Sequence, residues 1–341
     1  MGILERTYYA GFLMKQRHSL SQQRRLPCRV ISVGNITVGG TGKTPATIAI
    51  AQEAVTRGLA PVILTRGYRG TARGPCFVTT GDGPLLSADE AGDEPYLMAS
   101  RLCRVPIVKG PDRYESGIFA LDKLRQDHPA LAATNLFLLD DGFQHFRLFR
   151  DLDIVLIDAD DPFGRNRLLP FGRLREPIAA LERAHIIVVT KSGMTMDGRE
   201  PDIEQTLNTI RAHNTKAPLY IADHLPVSAV DRQGNEHPAL TLSGKKVFGF
   251  CGIGSPASFL KTLRNTGAEV AGFRQFRDHH RYTAADLAGL TKEAFRLQSE
   301  WIVTTEKDII KIKDFDLPEN IFRIRIEFSI DGSFYTKIFT E

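Results

Sequence analysis

The amino-acid sequence predicts an α/β protein with a mostly parallel, doubly wound sheet of the P-loop NTPase type. A glycine-rich loop lies between an apolar run, 30–33, and a helical stretch rich in Ala and Ile, 44–54. Further short apolar runs alternate with helical stretches along the first two thirds of the chain, and one of them ends in paired aspartates. Strands that alternate with helices at this spacing are typical of a parallel sheet with crossover helices.

The composition is that of a globular protein. The 341 residues are enough for roughly two domains, and 42% of them are hydrophobic and 25% charged. The net charge of +4 is small and gives no argument for a nucleic-acid partner. The four cysteines are far apart, which is typical of reduced thiols and argues against a disulfide framework or a zinc site. No apolar run is long enough to span a bilayer, and the N-terminus lacks the apolar region of a signal peptide.

Residues 1–28 combine apolar and basic side chains. Leu4, Tyr8 and Phe12 recur at helical spacing, and Glu5 is the only acidic residue of the segment. A basic amphipathic helix on an anionic membrane surface would show this pattern. A helix packed against its own domain would show it equally well, so both interpretations stay open at this point.

The glycine-rich loop is a candidate P-loop. In such loops the backbone N–H groups surround phosphates, a lysine reaches the terminal phosphates, and a Ser or Thr hydroxyl binds magnesium. The usual pattern has a glycine five positions before Gly42, where this chain has Thr37. The strand before the loop and the helix after it supply the required context. We therefore predict a nucleotide-phosphate site at Gly39, Gly40, Thr41, Gly42, Lys43 and Thr44.

Two stretches after the P-loop carry further candidate groups. The turn Thr65-Arg66-Gly67-Tyr68-Arg69-Gly70 follows a predicted strand, and its side chains could face an anionic substrate or simply solvent. Asp93 and Glu94 stand just before Pro95, at the start of a predicted helix. Helix capping by Asp93 is the favoured interpretation, and presentation of a general base or a magnesium contact is the alternative.

Paired aspartates follow the apolar run 136–139. A buried strand that ends in Asp140 and Asp141 would carry a carboxylate to the edge of the sheet near the phosphates. Together with the P-loop, this pattern predicts a magnesium site. The arginine-rich stretch 163–177, which follows another predicted strand, is typical of a loop that binds an anionic group.

The C-terminal third differs in pattern from what precedes it. Residues 216–222 and 227–235 are predicted to form two short strands and a turn, and a smaller α/β unit begins near Lys245. Its Gly249–Ala257 stretch matches a dinucleotide fingerprint, but too little chain remains for a dinucleotide domain. Asp278-His279-His280 is predicted to be an exposed turn with histidines that could carry proton chemistry.

The motifs together make the chain similar to the tetraacyldisaccharide 4′-kinases, the lipid A 4′-kinases of Gram-negative bacteria. The similarity spans nearly the whole chain, and members of this family share the missing first P-loop glycine. It depends on an ordered set of motifs: Gly34-Asn35 with the P-loop, Thr65-Arg66-Gly67-Tyr68, Gly92-Asp93-Glu94-Pro95, Asp140-Asp141-Gly142-Phe143-Gln144-His145, Leu174-Arg175-Glu176-Pro177 and Asp278-His279-His280.

This resemblance implies transfer of the γ-phosphoryl group of ATP, with Mg²⁺, to the 4′-hydroxyl of a tetraacylated glucosamine disaccharide 1-phosphate. It implies a nucleotide-binding core at 29–215, a two-stranded linker at 216–240 and a smaller lobe at 241–341. The N-terminal segment 1–28 would rest peripherally on the cytoplasmic face of the inner membrane, where the lipid A precursor is embedded. We expect a monomer without a nucleic-acid partner.

The resemblance also implies roles for individual residues. Asp93 would be the base for the sugar hydroxyl, His279 its partner, and Lys43 the bridge between phosphates. Magnesium contacts are expected at Thr44 and Asp141, with Asp140 or Glu94 nearby, and acceptor or nucleotide contacts at Tyr68, Gln144, His145, Arg175 and Glu176. Because Asp93 precedes the linker and His279 follows it, we expect the chemistry to need both lobes and nucleotide binding to close them.

Three other functions remain compatible with the motifs, and one of them, a peripheral membrane scaffold with a vestigial nucleotide site, would transfer no phosphate at all. A GTP-binding regulatory module would use Thr190-Lys191 and Lys307-Asp308 to recognise its base, although Lys307-Asp308 is more simply interpreted as structural. A kinase for a small soluble acceptor would share the P-loop but not the need for a lipid. ATP preference over GTP and dependence on a lipid acceptor distinguish these alternatives.

Overall fold

The computed structural model describes residues 2–128, 133–190 and 201–340. These residues pack into two compact units. The first holds the described chain up to Asp223 together with the C-terminal stretch from Ile330, and the second holds His224–Ser329. Lys191, one of the residues on which a GTP-binding function would depend, lies outside the described residues.

The first unit is built on a mostly parallel sheet. All of its strand pairs are parallel except β3 with β4, and β8 joins it through its first residues. The order across the sheet is β8-β7-β6-β1-β5-β2-β4-β3. The strands are β1 Arg29–Gly34, β2 Pro61–Thr65, β3 Cys76–Thr79, β4 Ile107–Lys109, β5 Leu136–Asp140, β6 Leu152–Asp158, β7 Ile186–Thr190 and β8 Leu219–Asp231.

Helices cover both faces of this sheet. They are α1 Ile3–Ser21, α2 Lys43–Thr56, α3 Ala88–Ala91, α4 Asp93–Arg101, α5 Arg113–Asp127, α6 Ile203–His213 and, at the C-terminus, α10 Gly332–Thr340, with 3-10 helices at Gly164–Asn166 and Ile178–Arg183. One apolar cluster packs around Val155, Ile187 and Ile210, and another around Val30, Phe137 and Leu124. Successive residues of a strand point to opposite faces, so strands buried on both faces are apolar throughout. The doubly wound α/β fold predicted from the sequence is confirmed.

The register of the central strands brings the predicted site residues together. β1 lies between β5 and β6, and Val33 near its end pairs with Asp140 at the end of β5. Since the strands are parallel, the loops after β1 and β5 leave the sheet at the same edge. The P-loop and the paired aspartates are therefore neighbours.

The second unit has a smaller sheet in the order β11-β10-β12-β13-β8, in which β11, β10, β12 and β13 are parallel and β9 is antiparallel to β8. Its remaining elements are β9 Glu236–Pro238, β10 Lys246–Cys251, α7 Pro256–Asn265, β11 Glu269–Gln275, α8 Ala284–Arg296, β12 Trp301–Thr305, α9 Glu306–Ile312 and β13 Ile321–Ile330, with a 3-10 helix at Ala239–Leu242. The Gly249–Ala257 stretch forms the end of β10, a turn and the start of α7.

One local prediction is wrong. The two short strands expected at 216–222 and 227–235 are a single strand, β8, which spans Leu219–Asp231. Pro226 would end an ordinary central strand, but it lies between the residues that pair with β7 and those that pair with β9. The boundaries of the predicted lobes and linker stay predictions.

None of the helices that the structure describes is both long and apolar enough to cross a membrane. The longest of them, α1, has 19 residues and carries several charged side chains along its length.

Candidate active site

The candidate P-loop has the geometry that phosphate binding requires. It leaves the carboxyl end of β1 and passes directly into α2, which begins at Lys43 after a left-handed Gly42. Thr44 is buried in the first turn of α2. The first N–H groups of a helix have no partner within the helix and carry the positive end of its dipole, so they favour an anion at this position.

The outer limb of the P-loop is held by the arginine-rich loop. The N–H of Val38 donates to the C=O of Arg173 at 2.7 Å, and the N–H of Arg175 donates to the C=O of Ile36 at 2.8 Å. Thr37 pairs with Leu174 in an isolated bridge between these hydrogen bonds. The position of the missing glycine thus has extended backbone that a threonine can adopt, and it is part of a small ladder.

Gly39 is required by its surroundings. Its φ is +126°, and a Cβ there would lie 1.9 Å from the guanidinium of Arg173. That guanidinium donates to the C=O of Val38 at 3.0 Å and pairs with Asp161 at 3.1 Å. The Arg173 side chain therefore packs against the P-loop and supports it. The sequence alone, in which Arg173 is one of several arginines, does not indicate this role.

Asp140 is a buried carboxylate at the end of β5. Its oxygens lie 3.5 Å from the hydroxyl of Thr47 and 3.3 Å from that of Thr65. Burial, and then the negative charges of Glu94 and Asp141, raise the pKa of Asp140 to about 7, against the opposing charges of Lys43 and Arg113. A nearby cation would stabilise the ionised form of Asp140, because its charge would offset the cost of burial and the repulsion by Glu94 and Asp141.

Asp141 stays ionised beside it. Its carboxylate lies 3.5 Å from the ammonium of Lys43 and accepts two hydrogen bonds from Arg175 at 2.9 and 3.0 Å. Burial alone would raise the pKa of Asp141, but the charges of Lys43 and Arg175 outweigh it and lower the pKa. The pKa values of these two adjacent carboxylates are thus shifted in opposite directions. Strongly shifted pKa values are typical of functional sites.

A hydrogen-bond network connects this pair to the base of the P-loop. Gln144 accepts from Arg175 at 3.2 Å and donates to the C=O of Asn35 and to Glu176, both at 2.8 Å. Glu176 is buried and pairs with Arg183 at 2.8 Å. The observed contacts of Gln144, Arg175 and Glu176 hold the site in shape, and their predicted contacts to acceptor or nucleotide stay predictions.

Asp93 does not cap its helix. The residue that precedes α4 is Gly92, and Asp93 is the first residue of the helix itself, so the capping prediction is wrong. Gly92 separates α3 from α4, and α4 begins at Asp93, one residue earlier in the chain than the capping prediction requires. Asp93 and Glu94 thereby stand in the first turn of α4, and the charge of Glu94 reaches Asp140.

Two other predicted substrate residues lie on loops of the same unit. His145 accepts a weak hydrogen bond of 3.4 Å from the N–H of Arg113, and burial with nearby arginines lowers its pKa to about 3, so its imidazole is neutral. Tyr68 is 57% exposed, and the guanidinium of Arg69 lies 5.6 Å from the centre of its ring. The predicted contacts of Tyr68 and His145 to acceptor or nucleotide stay predictions.

In the second unit the histidines are not exposed as predicted. Both are half-buried: the ring of His280 stacks on Phe276 at 4.5 Å and contacts Asp286 at 3.2 Å, whereas His279 has a left-handed backbone. The N–H of His279 donates to the C=O of Gly252 at 3.0 Å. The turn is fixed because its backbone is tied to the loop after β10.

Lys307-Asp308, the pair on which base recognition by a GTP-binding module would depend, lies in the same unit, and its aspartate has a structural role. Asp308 is fully buried and accepts from the N–H of Gly252 at 3.0 Å and from the hydroxyl of Thr305 at 2.7 Å. Its second oxygen pairs with Lys311 at 3.3 Å. These contacts occupy the carboxylate, in agreement with the structural interpretation of Lys307-Asp308.

The donor set around the P-loop fits a magnesium ion with bound phosphates. Among the described residues no group of three or more His, Cys, Asp or Glu side chains is arranged to hold a metal by itself. Magnesium usually takes one or two protein ligands and completes its shell with water and substrate phosphates. Thr44, Asp140 and Asp141 supply hydroxyl and carboxylate oxygens of the kind it prefers.

Reasoning from the sequence missed one charged residue of the site. Arg113 is buried in the first turn of α5, donates to the C=O of Gly110 at 2.9 Å, and acts electrostatically on both Asp140 and Asp141. Burial lowers its pKa to about 10. Asp112, which caps α5, indicates the start of this helix in the sequence. Nothing in the sequence around Arg113 indicates that its side chain lies near the aspartates.

Comparison with known proteins agrees with this geometry. Residues 4–341 match the family model described as tetraacyldisaccharide-1-P 4′-kinase. A tetraacyldisaccharide 4′-kinase of Syntrophus aciditrophicus is 42% identical over 84% of this chain and 76% of its own, and one of Desulfotalea psychrophila is 38% identical over 95% and 91%. A crystal structure of LpxK from Aquifex aeolicus in complex with ATP superposes with a TM-score of 0.75 at 30% identity, covering 99% of this chain and 96% of that one.

The family match extends over residues of both compact units. The chain therefore belongs to the tetraacyldisaccharide-1-phosphate 4′-kinase family.

Proposed function

We propose that the chain transfers the γ-phosphoryl group of ATP to the 4′-hydroxyl of a tetraacylated glucosamine disaccharide 1-phosphate, a lipid A precursor. The observation that carries this proposal is the meeting of Lys43 and Asp141, 3.5 Å apart at the start of α2, in a chain of this family. A P-loop lysine beside a strand-end carboxylate is the arrangement that positions a nucleoside triphosphate for phosphoryl transfer.

The residues of the loop have separate tasks in this proposal. The N–H groups at the start of α2 and the ammonium of Lys43 hold and neutralise the terminal phosphates. Thr44 and Asp141 would hold Mg²⁺, with Asp140 or Glu94 nearby, and the bound ion would neutralise charge on the phosphate oxygens. Arg175 keeps Asp141 in place through two hydrogen bonds, so this side of the site is formed before substrates arrive.

Asp93 is the proposed general base. It stands in the first turn of α4, where the helix dipole stabilises a carboxylate and where the capping role is excluded. Its task would be to accept the proton of the 4′-hydroxyl as the oxygen attacks phosphorus. His279 would orient this carboxylate and share the proton.

The assay that tests the function is transfer of ³²P from γ-labelled ATP to a detergent-dispersed lipid A precursor. We expect labelled product with the free 4′-hydroxyl acceptor and none when that hydroxyl is blocked. Hydrolysis of GTP in preference to ATP without any labelled lipid product would support a GTP-binding module instead, and equal use of a water-soluble glucosamine disaccharide would support a soluble-acceptor kinase.

A double-mutant cycle tests the proposed pairing of Asp93 with His279. Asp93→Asn should lower kcat by roughly 10²–10⁴-fold, which is the usual contribution of a general base. If the two residues share one proton-transfer task, His279→Ala should cost far less in the Asp93→Asn background than in the wild type. Fully additive losses would show that they act separately. His280→Ala is the matched control, because its ring is already engaged by Phe276 and Asp286.

Membrane association is part of the proposal. Exposed Ile3, Leu4 and Met14 on α1, together with its basic side chains, support peripheral binding to the cytoplasmic face of the inner membrane. We further propose that the protein acts as a monomer and without nucleic acid. Failure to float with anionic vesicles would contradict the first of these proposals, and a dimer in sedimentation would contradict the second.

A further inference from the structure

An exposed aromatic side chain stands at the tip of a tight turn in the arginine-rich loop. Phe171 is 51% exposed. Behind it, the N–H of Gly172 donates to the C=O of Leu168 at 2.9 Å, and the N–H of Leu174 donates to the C=O of Arg167 at 3.0 Å. A Cβ at Gly172 would lie 2.0 Å from the carbonyl oxygen of Arg167, so the turn closes only with glycine there. The fold therefore presents a phenyl ring to the exterior on a firmly braced turn.

This turn is attached to the start of α1. The guanidinium of Arg167 contacts both oxygens of the Glu5 carboxylate, at 3.1 and 3.3 Å, and lies 5.1 Å from the centre of the Phe171 ring. One turn further along α1, the hydroxyl of Tyr8 donates to the C=O of Arg175 at 3.0 Å. Glu5 is buried, which is unusual for a carboxylate unless it is paired. The contacts hold the Phe171 turn and the first turns of α1 as one surface.

The two stretches of chain that form this surface, residues 2–28 and 163–175, are rich in basic residues. Glu5, the only acidic residue among residues 2–28, is neutralised by Arg167, and the stretch 163–175 contains no acid at all. Arg6 and Arg165 are exposed on these two stretches, as are the apolar side chains of Ile3, Leu4 and Phe171. Exposed apolar and basic side chains together fit the interface of a bilayer that contains anionic lipids, where both kinds of group are stabilised.

We propose that the Pro170-Phe171 turn is a second membrane-contacting element, which enters the interface of an anionic bilayer together with the start of α1. The Glu5–Arg167 ion pair fixes the spacing of the two elements. The inference extends the membrane association in the proposed function, but its test does not depend on catalysis. Two separated contacts would also fix the protein's orientation on the bilayer, which a single helix leaves free to rotate.

A tryptophan reporter tests the proposal directly. The chain has one tryptophan, Trp301, which stacks on Phe322 in the second unit and can be replaced by phenylalanine. In the Trp301→Phe background, Phe171→Trp should be quenched by brominated lipid in anionic vesicles that contain no acceptor. Leu85→Trp is the matched control: Leu85 is 61% exposed on another loop of the same unit, and it should remain unquenched.

A partition measurement supplies the second arm. Phe171→Ser should lower the partition coefficient onto these vesicles roughly tenfold, whereas Leu85→Ser should leave it unchanged. The same variants are assayed for phosphoryl transfer to detergent-dispersed acceptor, so a failure of the proposed kinase activity is recognised separately.

Three results would overturn the inference. Quenching of Leu4→Trp but not of Phe171→Trp would restrict membrane contact to α1. Quenching of Phe171→Trp only when the lipid acceptor is present would assign the ring to the acceptor's acyl chains. If self-association in the absence of vesicles shielded the Phe171→Trp side chain from water, the surface would be assigned to a second copy of the chain.

Discussion

Replacing Lys43 with alanine is expected to lower kcat for phosphoryl transfer by roughly 10³-fold. The ammonium is nearly buried, with 11% of the side chain exposed, and it stands at the N-terminus of α2, where phosphates are held. In such a water-poor place a fixed charge stabilises the transferring phosphoryl group far more than a solvated charge would. The measurement is ³²P transfer to the lipid A precursor, made at several ATP concentrations so that kcat and KM separate.

The loss should come without unfolding. Asp141, the partner of Lys43 in the free protein, keeps its two hydrogen bonds to Arg175 in the variant. Lys43→Ala should therefore still unfold cooperatively, but at a lower melting temperature than the wild type, because the Lys43 charge no longer offsets the charges of Asp140 and Asp141. Lys123→Ala is the matched control, since Lys123 is 47% exposed in an ion pair with Asp127 on α5, and its rate should stay within about twofold. Near-normal turnover by Lys43→Ala would contradict the assignment of the P-loop.

The central strands of the first unit could be predicted because they are buried on both faces. Apolar runs such as those of β1, β5 and β7 are continuous, so they stand out between helices that have mixed composition. β3 was missed, since it is an antiparallel edge strand whose half-buried start interrupts the apolar pattern. β8 was divided wrongly because its continuity depends on partners that are distant in sequence.

Predictability of the site followed the same division between local and distant information. The P-loop and the aspartates at 140 and 141 carry local patterns that are imposed by the chemistry of phosphate and magnesium. The support of Gly39 by Arg173, and the electrostatic effect of Arg113, arise only when residues far apart in the chain come together. The start of α4 was misplaced by one residue because a glycine with positive φ separates it from α3, a tertiary effect that the Pro95 signal does not contain.

The two aspartates should change stability in opposite directions when they are converted to asparagine. Asp140 keeps its proton up to about pH 7 in the folded protein, because of burial and the charges of Glu94 and Asp141, but loses it near pH 4 when unfolded. The folded state then binds more protons between these values, so wild-type stability falls as the pH rises through this window. Asp140→Asn lacks that loss, and without metal and nucleotide it should be more stable than the wild type at pH 8, by a few kcal/mol at most.

Asp141→Asn is the matched control with the opposite sign. Its folded-state pKa is lowered, since Lys43 and Arg175 outweigh burial, so its charge contributes stability above its unfolded pKa and loses it as the pH falls. Asp141→Asn should therefore be less stable than the wild type at neutral pH, with the difference shrinking toward pH 3. Melting temperatures measured from about pH 3 to 9 in the presence of a chelator follow both differences. An Asp140→Asn variant that is less stable than the wild type at pH 8 would contradict this electrostatic account.

Magnesium and a non-hydrolysable ATP analogue should reverse the order of Asp140→Asn and wild type. A bound cation offsets the burial and repulsion that penalise the Asp140 charge, so binding should raise the melting temperature of the wild type more than that of the variant. The negative charge of Asp140 thus destabilises the free protein but stabilises bound magnesium. Asp140→Asn, which should stabilise the free protein, should therefore remove most of its activity. Equal stabilisation of both proteins by the ligands would place Asp140 outside the magnesium site.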